Sequence, residues 1–240
     1  MNNQNELKQF NLLQIILYHL LPGLPMLLLI IVFANPTWGL GWPVLISLLL
    51  AAALGALPAQ VGILFFTARK QGKKIRDLIG FTEKMPLLKT IGWAAPCLAF
   101  ALFAFMVLAP LEHPLWTIFN WVPDWFRADR FNPATAERFL LILSIILNFA
   151  INGLFGPFVE EIYFRGYLLP RMNKLGTGAP FVNAVLFSLY HMFTPWENIT
   201  RILVLTPMIY IVWKKRNIRI ALWFHCTLNI LSCIGMLFML

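Results

Sequence analysis

From Leu12 to Ala34 the chain carries no Asp, Glu, Lys or Arg, and six further apolar runs follow it: Pro43 to Phe66, Leu87 to Leu111, Phe139 to Val159, Ala179 to Trp196, Ile199 to Trp213 and Ile220 to Leu240. A helix rising 1.5 Å per residue needs about 20 apolar residues to cross ~30 Å of hydrocarbon. Most of these runs meet that length. The fifth and sixth are short, and read either as short crossings or as one re-entrant hairpin shielded from lipid by protein. Composition points the same way: mean hydropathy is +0.74 and 12% of residues are charged, where a soluble domain has roughly 25%. The expected fold is all-α, a polytopic membrane helix bundle with seven to eight transmembrane or re-entrant helices, and residues 1–240 form a single integral membrane domain. The first run is longer than a signal-peptide core and lacks a small-x-small cleavage site, so it reads as a retained span. Cys97, Cys226 and Cys233 all lie in apolar runs, and their odd number leaves the redox compartment unread.

The net charge of +9 does not indicate a nucleic-acid partner, because the basic residues fall in loops between apolar runs. They act instead as topology signals. Lys8, the stretch Arg69 to Lys89, the segment Arg165 to Lys174 and the loop Lys214 to Arg219 place 15 Lys and Arg on one side, against Arg127, Arg130, Arg138 and Arg201, which are 4, on the other. Cytoplasmic loops carry the Lys and Arg excess, so the N-terminus is expected in the cytoplasm and the C-terminus outside. The loop Glu112 to Glu137, rich in Trp, Pro and mixed charge, reads as an exterior interfacial loop.

An ionisable side chain within a span costs roughly 2.5–3.5 kcal/mol on insertion scales and is a functional candidate by default. The candidates are His19, Asn148, Asn152, Glu160, Glu161, Arg165, Asn183, His191, Arg201, His225 and Asn229. Pro157 favours a fresh helix start or a kink, which puts Glu160 and Glu161 early in a helical segment reaching about Met172. On it, Glu161 and Arg165 have the i, i+4 spacing of an ion pair, while Glu160 points about 100° away and is free. An interfacial charge cluster would explain the three equally well. His191 shares a helix face with Phe187, and a lone histidine there is more often a packing residue. His225 and Asn229 again stand at i, i+4, as either interhelical glue or donors aimed into a cavity. Asn148 and Asn152 read as interhelical hydrogen bonding, and His19 as a partner for carbonyls freed at Pro22. Should Glu160, His191, His225 and Asn229 face one another, they supply a carboxylate and a histidine to polarise water and donors for the resulting oxyanion.

Glu160-Glu161-Ile162-Tyr163-Phe164-Arg165, Phe187-Ser188-Leu189-Tyr190-His191 and His225-Cys226-Thr227-Leu228-Asn229, in that order, resemble the E-E-x-x-x-R, F-x-x-x-H and H-x-x-x-N signatures of the CAAX proteases and bacteriocin-processing enzymes, the CPBP or Abi family of intramembrane endopeptidases. The resemblance covers the C-terminal half, with the motifs within residues 139–229; the first three spans show no motif. It implies that Glu160 is the general base, that His191 helps to orient the water, that His225 and Asn229 face the oxyanion, and that Glu161 and Arg165 support them. It also implies a membrane-embedded or lipid-associated, CAAX-like peptide or membrane-protein substrate, a bacterial plasma membrane as the setting, and a site opening toward the cytoplasm. Two accounts of the family stay open, a glutamate-dependent mechanism that requires no cofactor and a metallo-type one with a zinc ion on Glu160, His191 and His225, since one Glu and two His could hold zinc; H-E-x-x-H is absent. Oligomeric state is not readable.

With the span boundaries above, Glu160 sits at the inner end of span four and His191 roughly 18 Å from Ala179. Bringing them together requires a kink at Gly156-Pro157, a tilted fifth helix or a different boundary. Two other functions remain open: a non-catalytic membrane scaffold or bacteriocin-immunity protein that uses the same polar groups as glue, and a small transporter relaying protons. Transporters often carry internal repeats, and none is seen here.

Overall fold

The computed structural model describes residues 7–127 and 137–238, all of their regular structure helical, with one isolated bridge between Thr82 and Asn217. Arg130 and the rest of residues 128–136, part of the expected exterior loop, lie outside the described residues. Each apolar run has become a helical rod. The first is α1 (Leu12–Leu20) and α2 (Gly23–Ala34), broken at Pro22. The second joins α3 (Val44–Ala51) to α4 (Leu57–Lys70) through a π-helical turn, Ala52–Ala56. After the short α5 (Ile75–Leu78) come α6 (Leu87–Ile118) and a composite fourth rod, then α9 (Ala179–Tyr190), α10 (Asn198–Lys215) and α11 (Arg219–Leu237). Four of the rods, Leu12–Ala34, Val44–Lys70, Leu87–Pro110 and Arg138–Arg171, are long and apolar enough to cross a membrane.

The fourth rod differs from the sequence expectation. The span does not stop at Val159. It runs from α7 (Arg138–Leu147) through a π-helical stretch (Asn148–Phe155), α8 (Gly156–Glu160) and a second π-helical stretch (Glu161–Leu168) to a 3-10 turn ending at Arg171. Pro157 falls in the first turn of α8, directly after the widened turn, where its missing N–H and its ring are tolerated. Gly156 makes the widening possible, since a Cβ there would lie 2.7 Å from the Ile151 carbonyl oxygen. In the second rod Pro58 follows a π turn in the same way.

Polarity is arranged inside out relative to a water-soluble protein. His19, Gln60, Ser144, Glu161, Arg165, Asn183 and Ser188 are fully buried, while Leu88, Phe66, Met106 and Phe155 are exposed. An apolar exterior of this extent on a soluble monomer would aggregate; in lipid it is the solvated surface. The buried polar groups pair between rods. His19 Nδ1 meets the Ile15 carbonyl at 2.7 Å and its Nε2 meets Asn183 Nδ2 at 2.9 Å, tying α1 to α9. His19 thus bonds within its own helix as well as across.

At one end the basic segments form a single plate. Phe10 N–H donates to Arg171 O, Gly80 N–H to Gly166 O, Glu83 N–H to Arg216 O and Ile218 N–H to Phe81 O, at 2.8–3.0 Å. The guanidinium of Arg171 lies 4.2 Å from the Tyr167 ring centroid, and that of Arg216 lies 5.7 Å from Phe81. The opposite end is closed by the turn between α9 and α10, where buried Trp196 meets Phe119 at 6.0 Å and Arg127 at 5.1 Å.

Candidate active site

Extension of the fourth rod to Arg171 removes the geometric difficulty. Glu160 lies 11 residues above Arg171 and His191 lies 12 residues beyond Ala179 on the antiparallel α9, which is about 16 and 18 Å of helix from the same plate. The two side chains therefore come to the same depth, without a kink. Because α9 has only 12 residues, it ends inside the bundle, and His191 is its C-terminal capping residue. Glu160, His191, His225 and Asn229 all line one cavity of about 570 Å³. Part of the apolar wall comes from α2, α3 and α6, including Met26, Leu49 and Leu102, so the first three rods help to enclose a site whose motifs they lack.

Behind the cavity wall the remaining motif residues make a buried charge cluster. Glu161 and Arg165, one helical turn apart, are both inaccessible and paired through Oε1 and Nη1 at 3.0 Å. The same Oε1 receives His225 Nδ1 at 2.8 Å. A single carboxylate thus neutralises the arginine and fixes the histidine ring, leaving His225 Nε2 as the nitrogen available to the cavity, in the manner by which a supporting carboxylate sets imidazole orientation. The Phe187 ring packs on three of these groups. Its centroid is 4.1 Å from the Arg165 guanidinium carbon, 4.7 Å from the His191 ring and 6.1 Å from the His225 ring. Arg165 Nε and Nη2 have no hydrogen-bond partner, so the aromatic face supplies part of what hydrogen bonds do not.

His191 Nδ1 lies 2.9 Å from its own helix's Phe187 carbonyl. The carbonyl can only accept, so Nδ1 carries the proton and, in the neutral ring, Nε2 presents a lone pair. Asn229 Nδ2 donates to the Asn152 backbone oxygen at 2.8 Å and to Asn152 Oδ1 at 3.3 Å. The amide is therefore shared between the cavity and an interhelical bond, and Asn152 also lines the cavity. Asn148 is buried but away from the lining, and Asn183 serves the α1–α9 junction.

Two neighbours had no place in the sequence reading. Tyr190, beside His191, lines the cavity with Glu160 and interacts electrostatically with its side chain, and Gln60 Nε2 on α4 donates to the Tyr190 hydroxyl at 3.0 Å. A lone amide in the second apolar run was the available signal. A further polar group, Thr194, Glu197 and Arg201, lines the cavity toward the α9–α10 turn; Arg201 Nη2 donates to Thr194 Oγ1 at 2.8 Å and to Glu197. That turn is at the end of the bundle away from the basic plate.

Among the described residues no three His, Cys, Asp or Glu side chains are close enough together to hold a metal ion. The zinc set Glu160, His191 and His225 therefore does not form a three-donor site in this geometry, although each side chain reaches the cavity.

The family model described as type II CAAX prenyl endopeptidase, Rce1-like, matches residues 142–231. Residues 142–231 are thus similar to a Rce1-like CAAX endopeptidase domain. Every motif residue, from Glu160 to Asn229, falls inside the match, while Gln60 and the rods of the first half fall outside it. No curated protein and no solved structure matches the chain. The match agrees with the CPBP resemblance of the three motifs, and the long apolar helices agree with an integral membrane protein.

Proposed function

We propose that the protein is an intramembrane endopeptidase that hydrolyses one peptide bond of a membrane-embedded or lipid-associated, CAAX-like substrate. The observation that carries this reading is the meeting of Glu160, His191, His225 and Asn229 on one cavity within a bundle of apolar exterior. The last three rods complete the bundle as short crossings or re-entrant helices.

Glu160 takes a proton from a water molecule whose other contact is the His191 Nε2 lone pair. The water oxygen attacks the scissile carbonyl. His225, its Nδ1–H held by Glu161, turns Nε2 toward the oxyanion and stabilises it when that nitrogen carries a proton, and Asn229 turns the proton of its longer 3.3 Å bond toward it. On collapse of the tetrahedral intermediate, Glu160 passes its proton to the departing amine, so the carboxylate is regenerated. The apolar wall excludes bulk water and accommodates a lipid-like segment of substrate. No step passes through a metal.

The test uses the full-length protein in detergent with lipid-anchored C-terminal peptides, the products being identified by mass spectrometry. Cleavage at one defined bond by the wild type, its loss in Glu160→Gln, and full activity in the presence of a zinc chelator are expected. An intact Glu160→Gln activity, or activity abolished by the chelator and restored by zinc, contradicts this mechanism.

A further inference from the structure

Gln60 is fully buried in the middle of a rod that the family match does not reach, and its amide oxygen has no hydrogen-bond partner. An amide held in this way is destabilising relative to an apolar side chain of similar shape, so packing alone does not account for it. Its N–H does one thing: it donates to the Tyr190 hydroxyl at 3.0 Å. A phenol has a single proton. With its oxygen already accepting from Gln60, that proton is directed away from Gln60 toward the next acceptor, the neighbouring Glu160 carboxylate, which lines the same cavity and interacts electrostatically with Tyr190. The ring is wedged against Phe164 at 5.1 Å and His191 at 4.9 Å, which prevents the hydroxyl from swinging away.

We infer that Gln60 and Tyr190 form a positioning chain that holds one oxygen of Glu160 and turns the other toward the cavity, so that the N-terminal half of the molecule sets the orientation of the general base. This rests on the endopeptidase reading only in naming Glu160 the base; the chain itself is independent of it. Tyr190 acts through the carboxylate and Gln60 acts through Tyr190, so neither is a catalytic residue.

Tyr190→Phe keeps the ring and removes the proton, and Gln60→Leu removes the donor without burying a new polar atom. Gln60→Leu is expected to fold with an unfolding temperature at or above that of the wild type, and Tyr190→Phe, which strands the buried Gln60 amide, with one a few degrees lower. In the peptide assay Tyr190→Phe should lower kcat about 10- to 100-fold with KM within about two-fold, the pattern of a group that acts after substrate has bound. Gln60→Leu should lower kcat less, and the double variant should be no worse than Tyr190→Phe. A readout that needs no substrate is labelling of Glu160 by dicyclohexylcarbodiimide, located by mass spectrometry. Release of the carboxyl group should raise its labelling rate several-fold in both variants, with Glu161 unlabelled. Wild-type cleavage with unchanged kcat and labelling in the variants overturns the chain and leaves the endopeptidase reading standing. Faster labelling in a protein that cleaves nothing sinks that reading and supports the chain. A fall in activity that tracks a fall in unfolding temperature, with labelling unchanged, shows a structural role only and also overturns it.

Discussion

Glu160 and Glu161 are neighbours in sequence but point about 100° apart around a helix, and the difference in surroundings predicts opposite mutant behaviour. Glu161 is the only carboxylate bonded to both buried Arg165 and His225 in the described residues. Glu161→Gln leaves an uncompensated buried guanidinium, for which a loss of ~3–5 kcal/mol is typical, so its unfolding temperature in detergent should fall sharply and activity with it. Glu160→Gln faces the cavity and should unfold within a few degrees of the wild type, yet lose roughly 10²–10⁴ in kcat, the usual contribution of a general base. Equal stability of the two variants in a thermal unfolding assay would remove the distinction. The i, i+4 spacing of Glu161 and Arg165 made this pair legible from sequence, and so did the spacing of His225 and Asn229. Gln60 and Tyr190 were not legible: neither carries a charge that apolar surroundings make conspicuous, and only the fold shows them 130 residues apart in sequence yet hydrogen-bonded.

At the scale of the element, the helical runs were readable because a bilayer leaves the backbone few alternatives, and so was a helical segment reaching about Met172, but its continuity with the fourth span was not. Gly-Pro usually ends a helix, and here a π-helical turn absorbs it. That insertion carries the helix onward to Arg171 and raises Glu160 to the level of His191. Gly156→Ala should therefore damage both stability and activity, because the added methyl would meet the Ile151 carbonyl at 2.7 Å. Gly153→Ala, one turn earlier in the same stretch, meets Cys233 Sγ at 3.5 Å, Ile230 Cγ1 at 3.7 Å and Asn148 O at 3.8 Å, all ordinary contacts, and should be tolerated. Unfolding temperatures and kcat of the two variants check this; equal effects would mean that the widened turn is not what positions Glu160. Short helix α9 was anticipated as too brief to cross the hydrocarbon, and its brevity is what leaves His191 inside the bundle.

For the whole molecule, the charge count separated the two ends of the bundle, and the structure gathers Phe10, Gly80, Phe81, Gly166, Arg171 and Arg216 into the plate at the basic one. The direction in which the cavity's polar residues lie was beyond the sequence, because it depends on where α9 stops. Taking the positive-inside rule at face value, cysteines placed at exposed Lys73 and exposed Ile199 in a cysteine-free background should react with a membrane-impermeant maleimide from opposite sides, Lys73→Cys from the cytoplasm. Labelling of both from one side would refute the arrangement of rods. The claim on which the rest depends is that four side chains around one cavity act as a unit on a peptide bond. The most direct measurement is kcat for Glu160→Gln, His191→Ala, His225→Ala and Asn229→Ala, singly and in pairs, with unfolding temperature recorded for each. Groups acting as a unit give strongly non-additive losses, so Glu160→Gln with His191→Ala should be about as inactive as Glu160→Gln alone, in proteins that remain folded. Wild-type kcat in the folded single variants, or losses that simply multiply in the pairs, would contradict a shared site.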